Sequence, residues 1–159
     1  MLYMRAVIQR VSSAKVEIEG RVISEIKHGL LVFICSMKED MGEDLDYLVK
    51  KISQLRIFAD DNGKMNLSVI DVNGSALVVS QFTLAASTRK GNRPSFDLAE
   101  SPDRARLMVE AFIRKLSGTG ITVQTGEFAA SMSISLINEG PVTIFIDSRE
   151  GLSLRDSEL

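Results

Sequence analysis

The chain has 159 residues, 45% of them hydrophobic and 25% charged, with a net charge of −2. That length can bury a core without staples and reads as one domain over residues 1–159, with a patterned core from about 4 to 147. The charge leaves only a local basic patch as a signal for nucleic acid; the single cysteine excludes an internal disulfide framework and points to a reducing cytoplasm; and no apolar run reaches the roughly 18 residues of a membrane span.

The start, MLYMRAVIQRV, has no charged leader followed by an apolar stretch, so no signal peptide is expected. The pattern begins at Met4, and residues 1–3 read as an extension. MRAVIQRV and AKVEIEG read as two short β-branched strands, EGR as a turn, and VISEIK as a third strand. HGLLVFICS follows, apolar on both faces, and these strands suggest an antiparallel meander. DMGEDLDYLVKKISQL changes period. Leu45, Leu48, Val49, Ile52 and Leu55 fall at helical spacing, and Asp40 with Glu43 resembles a capping box. RIFADDNGKMNLSV reads as strand, turn, strand on its Asn-Gly signal, and SALVVSQFTL as the most apolar strand.

From Ala85 to Glu100 the pattern stops in a long polar loop, a length that in compact domains marks function or disorder. Ser101 as N-cap and Pro102 at the first helical position open a second helix. Its stripe is Ala105, Met108, Val109, Phe112 and Leu116, and Gly118 can end it. ITVQTG, SMSISLIN and VTIFID read as three more strands. The tail SREGLSLRDSEL, residues 148–159, is charged, weakly patterned and expected to be flexible. Eight to ten strands and two long helices give an α/β or α+β domain. Its sheet is expected to be mixed, mostly antiparallel and curled like a barrel.

The chemistry open to this chain is narrow. His28, the one histidine, sits in a KHG turn, where an ordinary surface residue explains it. Cys35 lies mid-strand, where a thiol is usually packing. One of each cannot build a His- or Cys-rich metal site, there is no Walker loop, no GxGxxG follows a strand, and DDNG is too short for an EF-hand. No metal and no cofactor are expected.

Three stretches stand out. SQFTL, residues 80–84, closes an apolar strand with polar side chains; either the strand simply surfaces there, or it offers backbone N–H groups for an oxyanion site. In TRKGNRPSF, Arg89, Lys90 and Arg93 form a local positive patch, which reads as a solvated loop or as a contact to RNA phosphates. NEGPVT, residues 138–143, lies between two apparent strands and reads as a hairpin turn or as a Gly-Pro backbone feature with a task of its own.

Together these motifs closely resemble the D-aminoacyl-tRNA deacylases, the D-Tyr-tRNA(Tyr) deacylase family. The resemblance runs from MRAVIQRV at residue 4 to VTIFI near residue 146, and rests most specifically on SQFTL and NEGPVT. GLLVFI, RIF, GKMN, RPSF and SPDRA follow in order. It implies the fold of that family and a cytoplasmic homodimer with no membrane attachment. It also implies a hydrolase acting on the carboxylic ester of D-aminoacyl-tRNA, as chiral proofreading, and on glycyl-tRNA mischarged on tRNA(Ala). Carried over by motif, Ser80, Gln81, Phe82 and Thr83 take the catalytic positions. Gly140 and Pro141, joined by a cis peptide and flanked by Asn138, enter the opposite subunit's site and reject L-amino acids, and Arg10 supports them.

Such an ester is already activated, so a positioned water helped by the tRNA 2′-OH suffices; Thr83 as nucleophile is the rival, without an evident base. The alternative function is a non-catalytic RNA- or partner-binding module.

Overall fold

A computed structural model describes the backbone over residues 3–38 and 42–152, with side chains to residue 150. The first two expected strands are one. β1 (Met4–Ile18) runs for 15 residues, followed by β2 (Arg21–Ile26) and β3 (Gly29–Ser36). The buried set on β1 changes phase from Met4, Ala6 and Ile8 to Val11, Ala14 and Val16. Its partner register slips by one residue at Ser12, so the broken alternation that reads as a strand end is a bulge. Helix α1 (Gly42–Gln54) follows, then the small hairpin β4 (Phe58–Ala59) and β5 (Met65–Leu67), and β6 (Ser75–Ser80). Of the expected capping box, Asp40 lies outside the described residues. Helix α2 (Pro102–Ser117), β7 (Thr122–Thr125), β8 (Ser133–Asp147) and α3 (Ser148–Leu152) complete the chain.

One six-stranded sheet has the order β2-β1-β3-β6-β7, with β8 on the other edge of β1. The three pairings of β1 are antiparallel; β3–β6 and β6–β7 are parallel. The Ser24 hydroxyl of β2 donates to the Thr125 carbonyl of β7 at 2.8 Å, so the sheet curls toward closure. The mixed, mostly antiparallel curled sheet with two long helices is the fold the sequence suggests.

β3 is apolar throughout because both its faces are covered. Leu30, Val32 and Ile34 pack against Leu48 and Ile52 of α1 and Phe112 and Leu116 of α2, while Leu31 joins Val16, Ile26 and Leu77 inside the curl. Phe112 is fully buried, and truncating such a ring costs about 3–5 kcal/mol. Gly29 opens β3 where a Cβ would stand 1.9 Å from the Ser75 carbonyl oxygen, so only glycine lets β6 pair there.

The start of the tail is not loose. The Met4 N–H donates to Ser148 Oγ at 2.8 Å, and that hydroxyl donates to the buried Asp44 at 2.6 Å. Asp147 accepts from Arg5 and Arg149, and Arg149 lies over the Tyr3 ring at 3.5 Å. Burial pushes the Asp147 carboxyl up, but hydrogen bonds from Arg149 and Arg5 outweigh it and hold the group below the usual range. These ties hold Ser148 and Arg149, at the start of the tail expected to be flexible, against the body; residues 153–159 lie outside the described residues. Among the described residues, no helix is long and apolar enough to cross a membrane.

Candidate active site

The strand expected to run through SQFTL ends earlier, at Ser80. The Gln81 N–H makes one last bond to the sheet, to the Ile34 carbonyl at 2.8 Å. The backbone then closes a 3₁₀ turn (Phe82–Ala85), with Leu84 N–H donating to Gln81 O and Ala86 N–H to Thr83 O, both at 3.1 Å. The turn wins because the chain has left the core: Phe82 is 60% exposed and Thr83 is exposed. The N–H groups of Phe82 and Thr83 begin the turn and so lack intrahelical partners.

At this point a cleft of about 490 Å³ opens at the carboxyl ends of the parallel strands β3 and β6. Ser80, Gln81 and Phe82 line it, with Ala105 and Val109 of α2 and Phe128 of the segment before β8. Most of these groups are apolar. The Cys35 thiol lies beneath, 3.7 Å from the Phe82 carbonyl, and packs as the sequence suggests. Thr83 is not among the lining residues. Its hydroxyl accepts a 2.5 Å hydrogen bond from Gln81 Nε2.

The long loop folds back rather than dangling. Ser87 and Ser95 exchange backbone hydrogen bonds at 2.8 and 3.0 Å, and Phe96 meets Phe82 edge-on at 5.0 Å. Arg89, Lys90 and Arg93 are exposed near its tip and do not line the cleft.

Residues 138–143 do not form a hairpin, and SMSISLIN and VTIFID are one continuous strand. β1 pairs with β8 on both sides of the Gly-Pro pair, as Val11↔Asn138 and Gln9↔Thr143. Residues 139–142 therefore stand opposite the single residue Arg10, as a wide bulge. The Arg10 guanidinium fills the gap: Nε donates to Glu139 O at 2.9 Å and Nη1 to Ile57 O at 2.5 Å. Asn138 closes the bulge, with Oδ1 accepting from Val142 N–H at 2.7 Å and Nδ2 donating to Val142 O and Thr143 Oγ1, each at 3.1 Å. Gly140 and Pro141 are joined by a cis peptide and both are exposed. Neither lines the cleft of its own chain.

The structure thus gathers Ser80, Gln81 and Phe82 in one place, Arg10, Asn138, Gly140 and Pro141 in a second, and the loop cations in a third. Sequence reading missed two contributors to the cleft. One is the turn carrying Ala129, whose φ of +63° gives no signal because alanine rarely marks such a turn. The other is Glu100, whose Oε1 accepts from Ser101 N–H at 2.8 Å. Glu100 Oε2 stands 3.3 Å from Arg104 Nε without hydrogen-bond alignment. Glu100 with Arg104 four residues on was the legible sign. His28 is exposed and packs on Phe58 at 5.1 Å. Among the described residues, no group of three His, Cys, Asp or Glu could hold a metal ion.

Known proteins resemble this chain in sequence and fold. The D-aminoacyl-tRNA deacylase of Thermosipho africanus is 52% identical over 147 residues, covering 92% of this chain and 99% of that one. The D-aminoacyl-tRNA deacylase of Persephonella marina is 56% identical over 146 residues, with the same coverage. Among solved structures, the c-Myc DNA Unwinding Element Binding Protein superposes with a TM-score of 0.85 at 38% identity, covering 89% of this chain and 97% of that one. A structure described as a probable eukaryotic D-amino acid tRNA deacylase superposes at 0.78 with 16% identity, covering 92% and 100%, and shares the fold. The family model for D-Tyr-tRNA(Tyr) deacylase matches residues 7–147. With the family model and these likenesses in agreement, the chain belongs to the D-Tyr-tRNA(Tyr) deacylase family.

Proposed function

We propose that this protein hydrolyses the ester of D-aminoacyl-tRNA, releasing the free D-amino acid and intact tRNA. The observation that carries this reading, within the family, is the joining of Ser80, Gln81 and Phe82 in one cleft at the carboxyl ends of β3 and β6. The terminal aminoacyl-adenosine lies in that cleft. A water attacks the ester carbonyl carbon, and the bond to the ribose 3′-oxygen breaks. The proton passes from the water to the leaving 3′-oxygen, relayed by the vicinal 2′-OH. Backbone N–H groups of Phe82 and Thr83 stabilise the oxyanion as it forms. Thr83 orients Gln81 through their hydrogen bond and is not the nucleophile. The ester is already reactive, so positioning supplies most of the acceleration.

Chirality is judged by backbone. Two copies form a symmetric dimer, and each presents its Gly140–Pro141 bulge to the other's cleft. Support for this is the exposure of both residues, their place outside their own cleft, and the clamp of Arg10 and Asn138 behind them. A backbone wall beside the α-carbon admits hydrogen and refuses a methyl group, so L-residues are rejected. Side chains of D-residues point away from the wall, and their identity matters little. Glycine carries hydrogen in both places, so glycyl-tRNA(Ala) is cleaved as well. The loop cations Arg89, Lys90 and Arg93 contact the tRNA backbone, and the enzyme works in the cytoplasm, where charged tRNA is used.

The test compares D-Tyr, L-Tyr and Gly esters on their tRNAs at catalytic enzyme concentration. D-Tyr should be released with turnover, L-Tyr spared and glycine cleaved measurably. The likeness to a protein described as DNA-binding favours a second reading, a nucleic-acid-binding module without turnover. tRNA binding without release of D-Tyr would establish that reading and remove the first.

A further inference from the structure

A second concavity, of about 270 Å³, lies at the end of α1, away from the cleft residues. Tyr47, Lys50, Lys51, Gln54, Leu55 and Arg56 line it, with no carboxylate among them. Lys50, Lys51 and Arg56 are exposed and enter no ion pair among the described residues. Asp46, one turn before Lys50, is engaged by Lys115. Asp71 is held below the usual carboxylate range chiefly by hydrogen bonds from Ser68, and Arg56 contributes least to that shift.

Basic residues in a last helical turn often do no more than complement the helix dipole. Here Arg56 lies beyond the helix. The floor also includes an aromatic ring, with Lys51 Nζ 5.6 Å from the Tyr47 centroid. A concave site with a cationic rim and an aromatic floor suits the phosphates and bases of a single-stranded nucleic-acid end.

Its position adds the second argument. Arg56 is followed by Ile57, whose carbonyl receives Arg10, and the same guanidinium holds the Glu139 carbonyl of the bulge. One side chain therefore ties the residue next to the groove's Arg56 to the Gly140–Pro141 bulge. In the cross-subunit reading, on which this step rests, the bulge sits beside the partner's cleft, so the groove stands beside that cleft as well. We infer that the Lys50–Lys51–Arg56 groove binds backbone phosphates of the 3′ arm of the substrate tRNA while that tRNA's terminal ester occupies the partner's cleft.

The test reverses the charge with the double substitution Lys50→Glu/Lys51→Glu, and separately with Arg56→Gln. KM for D-Tyr-tRNA at about 0.1 M salt should rise roughly tenfold for the double variant, and the slope of log(kcat/KM) against log[salt] should flatten by roughly 0.7 per lost phosphate contact. Turnover of D-Tyr-adenosine should stay at the wild-type level. An unchanged KM and slope on tRNA, or an equal loss on both substrates, overturns the proposal.

Mixed dimers decide which cleft the groove serves. One protomer carries the double reversal and an intact cleft; its partner carries an intact groove and a cleft blocked by Ala105→Trp, or, if that misfolds, by Ala130→Trp at another small residue lining the cleft. Wild-type KM in this dimer supports service in trans; the raised KM of the double variant overturns it. A monomer that still discriminates D from L removes the cross-subunit reading itself, and leaves the salt slope of the groove variants to judge phosphate binding.

Discussion

Replacing Gly140 by alanine probes both the architecture of the bulge and its use. Gly140 has φ +142°, a conformation that L-residues rarely adopt. An added Cβ would stand 2.8 Å from Val142 Cγ2, 3.0 Å from Val142 N and 3.1 Å from Arg10 Nη2. None of these can retreat freely. Val142 is buried with its N–H held by Asn138, and Arg10 is tied to two carbonyls. The backbone term costs about 1–3 kcal/mol, and weakening one hydrogen bond from a charged donor adds about as much, so a total near 2–6 kcal/mol is expected. For a chain of this size that lowers Tm by roughly 4–24 °C. Urea unfolding measures it, with Gly91→Ala as reference. Gly91 also has positive φ, +67°, but nothing lies within 4 Å of its added Cβ, so it bears the conformational cost alone. Deacylation of D-Tyr-tRNA and L-Tyr-tRNA is followed in parallel, and the D/L ratio should fall at least roughly tenfold, about 1.4 kcal/mol of discrimination. If Gly140→Ala is no less stable than Gly91→Ala, close packing does not hold the bulge. If stability falls but the ratio stands, the bulge is scaffold and the chirality filter lies elsewhere.

Four further outcomes are expected. Thr83→Ala loses only the hydrogen bond from Gln81 and should keep D-Tyr deacylation within about tenfold of wild type; loss of single-turnover cleavage in a folded variant, or a trapped acyl-Thr83, would restore Thr83 as nucleophile. Arg89→Glu with Arg93→Glu should weaken tRNA binding and its salt dependence more than turnover of D-Tyr-adenosine, whereas an equal loss marks the loop as structural. Asp147 has a folded pKa depressed by Arg149 and Arg5 against burial, so its stabilisation is complete above the unfolded carboxylate value near 3.9 and fades as pH falls through the lower folded value. Asp147→Asn should therefore lower Tm at pH 7 and flatten the acid limb of Tm against pH below about pH 4; a wild-type acid limb would show that the two arginines contribute nothing there. D-Asp-tRNA and D-Tyr-tRNA should be cleaved at rates within about tenfold, since the proposed backbone wall would touch no side chain; a preference of several hundredfold would require a side-chain pocket.

The helices and the core were legible because their apolar residues keep one period over several turns. Leu45, Leu48 and Ile52, and Phe112 with Leu116, are the residues that cover the sheet. Places where the backbone breaks its own pattern split one strand into two in the sequence reading. Ser12 slips the register of β1 without ending it, and Gly-Pro in residues 138–143 has the composition of a turn although the chain continues straight past it. Composition reports that the backbone deviates, and the partner strand decides whether it turns or bulges. The cleft was half legible. Ser80, Gln81 and Phe82 show as polar and aromatic residues closing an apolar run, whereas Phe128 and Ala129 meet them only through the return of the chain after α2.

β1 is shared by β2 and β3 along one edge and by β8 along the other, and its pairs with β8 join residues as far apart as Arg5 and Asp147. Among the described residues, β8 is also the last strand to be synthesised. Until it arrives, a nascent chain can fold β1 with β2 and β3 on its other edge, in place of the expected meander, and both long helices, yet one whole edge of β1 stays unpaired, with Val7 and Gln9 on it. Contacts so distant in sequence form late, and an open edge is a template for other chains. Synthesis that stops before residue 133 therefore yields a product that is adhesive as well as inactive. The fold commits only when β8 is docked, and β8 is the strand that carries Gly140 and Pro141.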